Sequence, residues 1–201
     1  MNPREQALAH WLRELERDRT LDDDAVDRAV DERLGLPPPD AGAPAPELLG
    51  AHRTGVRALA RVLAAARVAP TDVFVDVGAG DGRATLVARL LTGADCRGIE
   101  VQRSLVERAR ATARHLGIEA AFEVGDAREA VPPEGTVFYM YSPSTGGALN
   151  RTLGALRAVA ATHAIRVCTQ AVTLPASCDW LVEIPGAFDE GELFANLYRA
   201  R

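Results

Sequence analysis

Cysteine is scarce in this chain and follows no pattern. Cys96, Cys168 and Cys178 are three in 201 residues, with no C-x-x-C spacing. That excludes a disulfide framework or a cysteine-based zinc site and predicts reduced, buried thiols in a cytosolic protein. Long apolar runs are missing too. No stretch of eighteen apolar residues occurs, and the opening MNPREQALAH has no apolar h-region, so neither a membrane helix nor an export signal is expected. There is no basic stripe. The arginines alternate with acids, and the net charge is −5 with a pI near 5.4, which disfavours a substrate held by phosphate contacts, nucleic acid above all. The four histidines (His10, His52, His115, His163) stand apart without metal spacing, and no internal repeat is found. His52 is the one to watch, because the helix expected there precedes the sheet.

At 47% hydrophobic, the chain has enough apolar mass for one core, and it fits a single domain with an appendage. Residues 1–36 read as a helical arm. Leu8, Trp11, Leu12 and Leu15 keep the i, i+3, i+4, i+7 spacing of one apolar face. Thr20 with Asp23 reads as the N-terminal cap of a second helix carrying Val26, Val30 and Leu34, which Gly35 stops. The arm is expected to act as a lid or packing element. Residues 37–46, PPPDAGAPAP, form a stiff proline-rich linker. Residues 47–201 form the main domain, entered through a helix marked by Leu49, Val56, Leu59 and Leu63.

The organising stretch is DVFVDVGAGDG, residues 72–82. Val73 to Val77 suits a strand buried on both faces. The glycines that follow suit a turn opening onto a helix whose free N–H groups favour an anion. Such a βα turn is a nucleotide-binding device. The dinucleotide fingerprint G-x-G-x-x-G, counted from Gly78, needs a glycine where Arg83 stands. Glu100, 18 residues after Gly82, closes a second strand (Arg97 to Val101) and can accept two ribose hydroxyls. That carboxylate would serve a nicotinamide cofactor equally well. Further strands are expected at 121–124, 137–141 and 165–169, with two more in the tail. The alternation predicts an α/β, Rossmann-like, mostly parallel seven-stranded sheet with helices on both faces. One place strains the pattern: the residues from Ala171 to Cys178 are too few for a parallel crossover carrying a full helix.

The spacing Asp-x-Gly-x-Gly-x-Gly over Asp76, Gly78, Gly80 and Gly82 resembles motif I of the class I S-adenosylmethionine-dependent methyltransferases. The resemblance covers roughly Leu48 to Arg201. It implies that Asp76, Val77, Gly78, Ala79, Gly80 and Gly82 cradle the methionine end of S-adenosylmethionine, with Asp76 on its amino group. Glu100 and Val101 would then meet the ribose and base, while Asp126 and Ala127 in EVGDARE would meet adenine; Asp126 also reads as a helix cap. The pairing of VFVDVGAGDGR with GIEVQ, and the short run after the fifth strand, resemble bacterial relatives of the non-SET histone-lysine methyltransferases.

The resemblance also implies that the residues after the fourth strand approach the methyl group, with Tyr141 and Ser142 as the catalytic candidates. Ser142-Pro143 matches the first half of the [Asn/Asp/Ser]-Pro-Pro-[aromatic] pattern of base- and glutamine-methylating families, and Ser144-Thr145 departs from it. No Asp or Glu lies between Gly135 and Cys178, the span holding the tips of strands four and five. The expectation is therefore metal-free transfer without a strong general base, to a small-molecule or protein amine or thiol that arrives partly deprotonated, or else with a base supplied by the arm or the His52 helix. The competing readings are a nicotinamide-dependent oxidoreductase, and a catalytically inactive cofactor-sensing module on the same fold.

Overall fold

The computed structural model describes residues 1–37, 53–141, 146–172, 174–175, 178–188 and 195–201. Its elements are α1 (Pro3–Arg17), α2 (Asp23–Leu34), α3 (Val56–Ala65), β1 (Val73–Val77), α4 (Arg83–Thr92), β2 (Asp95–Glu100), α5 (Arg103–Leu116), β3 (Ala120–Val124), β4 (Val137–Tyr141), α6 (Gly146–Ala160), β5 (Arg166–Gln170), β6 (Leu181–Glu183) and β7 (Ala195–Ala200). Seven strands make one sheet in the order β3-β2-β1-β4-β5-β7-β6. Strands β1 to β5 are parallel, and β7 runs antiparallel to both β5 and β6. The expected mostly parallel seven-stranded α/β sheet is what forms.

The tail resolves the tight crossover. Strand β6 lies at the sheet edge with β7 between it and β5, so the chain must return the length of a strand and cross two strand spacings. That is roughly 17 Å along and 10 Å across. Residues 171–180 reach about 33 Å when extended, so the return needs no helix, and none occurs among the described residues there.

Local chemistry explains the helix ends. The expected cap of α2 at Thr20 and Asp23 is displaced. Asp22 is the N-cap, its Oδ1 accepting the Ala25 N–H at 2.7 Å, while Thr20 bonds back to Asp18. Asp22 wins because its carboxylate sits three residues before a free N–H. Gly35 closes α2 in the left-handed conformation at φ +64°. Strand β2 begins at Asp95, two residues before the expected Arg97, because Asp95 pairs in register with Val73. Leu49, His52 and most of the proline-rich linker lie outside the described residues.

Two apolar layers flank the sheet. One joins Val75, Val77, Ile99, Phe138, Met140 and Val167 to α6. The other joins Phe74, Tyr139 and Cys168 to α3, α4 and α5, and continues without a break into Leu8, Leu12, Val26, Val30 and Leu34 of the arm. Helix α4 is consequently buried nearly all round. Glu5 of α1 is wholly buried, and both its oxygens accept from Arg89 of α4, at 2.7 and 3.3 Å. Burial alone would raise the Glu5 pKa, yet the Arg89 bond and the Glu119 N–H hold it below the usual carboxylate range.

Candidate functional site

The strand order reverses between β1 and β4, since β2 and β3 lie on one side of β1 and β4 and β5 on the other. In open α/β sheets the ligand crevice lies outside the carboxyl ends at such a point. The glycine turn after β1 and Tyr141 at the tip of β4 both stand there.

The turn is closed from beneath. The N–H groups of Gly78 and Ala79 both donate to the Ile99 carbonyl of β2, at 2.9 and 3.0 Å. Val77 is buried in the α6 layer. Two glycines in the turn play different parts. At Gly82, with φ +85°, a Cβ would come within 2.7 Å of Ala109 and Phe122, so the residue is small because α5 and β3 press against it. At Gly80, with φ +56°, a Cβ would meet nothing within 4 Å. Gly80 faces the open side, where a ligand can approach the backbone. Helix α4 starts immediately after Gly82 with no side-chain cap and no acid in its first turn, which leaves its positive end to a ligand carboxylate.

Three carboxylates converge on this turn. Glu100 folds over it, Oε2 accepting the Gly80 N–H at 3.1 Å and Oε1 the Gln102 N–H at 2.8 Å. Asp76, only 4% exposed, is held by the Thr85 hydroxyl at 2.8 Å. Burial is the chief cause that pushes its pKa up, to about 7, and the nearby charges of Glu100 and Asp81 push the same way against the Thr85 bond. The pocket is therefore short of positive charge, and a ligand cation would relieve it.

The remaining expected residues spread along the strand tips. Val101 is 42% exposed directly after Glu100, an apolar surface for a flat base. Asp126 and Ala127 are half-buried. The Asp126 carboxylate turns onto Arg128, which donates from its backbone N–H at 2.9 Å and from Nε and Nη2 at 2.6 to 2.9 Å. Those bonds hold Asp126 below its ordinary pKa and occupy most of its acceptor capacity. The Asp126 carbonyl also accepts from Glu129 and Ala130, so this is a single capped turn. Tyr141 is half-buried, paired in register with Gln170; Ser142 lies outside the described residues. His163, bonded to the Gly135 carbonyl at 2.8 Å, sits before β5 at the opposite edge of the sheet.

Sequence reasoning missed two networks. Thr54 Oγ1 contacts the Tyr139 hydroxyl at 2.8 Å, and Tyr139 donates to Gln170 Oε1 at 2.7 Å, a buried polar chain from the entry to α3 to the tip of β5. Burial pushes the Tyr139 pKa well above its ordinary value, the Thr54 bond notwithstanding. The second network ties the glycine turn to the arm. Arg83, noticed in sequence only as a misplaced glycine, donates to Asp27, Asp31 and the Thr54 carbonyl. No local periodicity reports such pairs, because their partners lie 29 to 56 residues away.

The profile of a methyltransferase domain matches residues 70–138, which run from the start of β1 into β4. Over that stretch the chain is similar to methyltransferase domains. An RNA methyltransferase from Salinibacter ruber, solved with S-adenosyl-L-homocysteine, is 28% identical to it. The match covers 74% of this chain and 92% of that one at a TM-score of 0.54. The putative methyltransferase yhhF from Escherichia coli is 17% identical, covering 80% and 93% at a TM-score of 0.57. The mitomycin 7-O-methyltransferase MmcR is 15% identical, covering 73% and 53% at a TM-score of 0.55. The last two share the fold. Among curated proteins none matches the chain. No helix among the described residues of the chain is long and apolar enough to cross a membrane.

Proposed function

We propose that this domain transfers a methyl group from S-adenosylmethionine to an amine or thiol acceptor. The observation that carries the reading is the charge of the turn. Asp76, Asp81 and Glu100 surround it, and the cations beside it, Arg53 and Arg83, are already paired with acids. A dinucleotide would bring a pyrophosphate dianion into that field, whereas adenosylmethionine brings an ammonium and a sulfonium. In this reading Asp76 faces the amino group, the open face of Gly80 and the start of α4 take the methionine end, Glu100 takes the ribose, and Val101 with Ala127 takes adenine. Asp126 serves adenine only through whatever capacity Arg128 leaves.

The cofactor supplies an electrophilic methyl on sulfur, so the chain's share of catalysis is alignment and exclusion of water. Tyr141 and Ser142 are the residues proposed for the acceptor side. The absence of any acid between Gly135 and Cys178 supports an acceptor that arrives partly deprotonated. Within the superfamily, the stretch Val73–Arg83, the run Gly98–Gln102 and the short run after β5 support kinship with the bacterial relatives of non-SET histone-lysine methyltransferases, and hence a protein side chain as one acceptor class. The Salinibacter neighbour favours RNA as a second class, and the net charge of −5 counts against it.

Calorimetry with S-adenosylhomocysteine, S-adenosylmethionine and NAD tests the cofactor. The two sulfur compounds should bind at micromolar concentration and NAD should not; NAD binding alone would overturn the reading. Radiolabelled methyl transfer to a basic peptide and to a structured transcript, run in chelator, separates the acceptor classes.

A further inference from the structure

Helix α2 reaches the glycine turn through five charged side chains. Asp31 Oδ2 accepts from Arg53 Nη1 at 2.9 Å, and its Oδ1 accepts from Arg83 Nε. Arg53 bridges on to Asp81 Oδ2 and to the Pro37 carbonyl. Arg83 bridges on to Asp27 Oδ1 at 3.0 Å and to the Thr54 carbonyl. Asp27 Oδ1 in turn accepts the Val56 N–H that opens α3, at 2.8 Å. The Arg83 side chain is 4% exposed and that of Arg53 13%, so both guanidinium groups sit where an unpaired charge is expensive and the pairing geometry is enforced.

Asp81 is the member that matters for binding. It stands between Gly80 and Gly82, two residues at positive φ with no side chain to stiffen them. Glycine backbones lose the most freedom on ordering, so a receptive turn needs an outside restraint. The restraint visible on Asp81 is the Arg53 fork, anchored on Asp31 of α2. Holding the Asp81 carboxylate fixes the peptides on either side of it, and with them the space above Gly80 and the first free N–H groups of α4.

We infer that Arg53 and Asp31 are positioning residues for the cofactor turn, which makes helix α2 a working part of the adenosylmethionine site. This rests on the cofactor reading above. Removing the Arg53 bridge leaves Asp81 free to swing, and a displacement of about 1 Å in a binding turn is enough to cost tenfold or more.

The test is S-adenosylhomocysteine calorimetry beside ligand-free thermal unfolding on the full chain. Arg53→Ala and Asp31→Asn should each bind about tenfold more weakly, and Arg53→Lys, which keeps one cation but not the fork, should fall between Arg53→Ala and the parent. Glu5→Gln strips the buried partner of Arg89 far from the turn; it should lower the melting temperature while affinity stays within about twofold. Parent-like affinity in both Arg53→Ala and Asp31→Asn would overturn the inference. Weakening by Glu5→Gln equal to that of Arg53→Ala at the same loss of melting temperature would overturn it too. A parent protein that binds no S-adenosylhomocysteine would remove the cofactor reading itself, a different failure from unchanged variants of a parent that binds.

Discussion

Glu100 Oε2 accepts the N–H of Gly80 at 3.1 Å, so the end of β2 pins the open face of the glycine turn. The carboxylate proposed for the ribose is therefore also a strut of the loop it serves. Glu100→Ala should weaken S-adenosylhomocysteine binding by about 10- to 100-fold, through two lost charge-assisted bonds. It should also lower ligand-free stability by about 1–2 kcal/mol, because the Gly80 and Gln102 N–H groups lose a buried acceptor. Calorimetry and denaturant melts read the two effects separately. Unchanged affinity would remove Glu100 from the site.

The sheet was legible because its signals are local. Val73 to Val77 is apolar but for Asp76 and punctuated by Pro70 and Gly78, and the stripes of α5 and α6 keep their period. The order of Asp76, the glycines and Glu100 was legible for the same reason, and all fall at the carboxyl ends of β1 and β2. What escaped was long-range. The single-sided stripe of α1 gave no hint that Glu5, on an otherwise ordinary first turn, would be buried against Arg89 across 84 residues. Asp126 reads in sequence as an adenine ligand or a helix cap, and only the folded turn brings the Arg128 side chain back onto it. Arg53 was passed over for its neighbour His52, since nothing in a lone arginine announces two acids 22 and 28 residues away.

The two turn glycines separate stability from binding. Gly82→Ala drives a Cβ into Ala109 and Phe122 at 2.7 Å with φ at +85°, and should destabilise the protein by roughly 2–4 kcal/mol. Gly80→Ala meets no atom within 4 Å, so its stability loss should be about 1 kcal/mol, from the positive φ alone. Its Cβ points into the proposed ligand space, and cofactor binding should fall by tenfold or more. Thermal melts and calorimetry on the pair check this; equal stability losses would contradict it.

Asp76 sets a pH dependence. Its pKa rises from an ordinary 3.8 to about 7, burial being the main cause. Between those values the unfolded chain ionises this group while the folded protein keeps its proton. Its contribution to stability is therefore full below pH 3.8 and lost as pH rises through about 7. Glu5 and Asp72 act oppositely, since both are held low; their stabilisation is present above the ordinary carboxylate range and lost on acidification. A cationic ligand beside Asp76 favours the ionised form, so affinity should climb as pH rises toward and past 7 and then level. Binding near pH 6 should release a proton, measurable by calorimetry in two buffers of different ionisation enthalpy. Asp76→Asn should abolish both the slope and the proton release.

Deletion of residues 1–36 should unfold the domain rather than produce an enzyme without its lid. Leu8, Leu12, Val26, Val30 and Leu34 are all within 5% of complete burial, in the same layer as Phe74 and Tyr139. At about 1.5–3 kcal/mol for each buried side chain, the arm contributes roughly 8–15 kcal/mol of gross burial, as much as the whole net stability of a typical domain. The ion pairs to the arm go as well. Arg89 would lose Glu5, Arg83 would lose Asp27 and Asp31, and Arg57 would lose Asp23 and the Glu16, Asp18 and Leu21 carbonyls. Water can solvate the three guanidinium groups once the arm is gone, so the lost apolar burial outweighs the lost pairs. Far-ultraviolet circular dichroism of the truncated chain should show no cooperative thermal transition, with or without S-adenosylhomocysteine. A cooperative transition with intact binding would mean that the sheet stands alone and that α2 has no part in shaping the glycine turn.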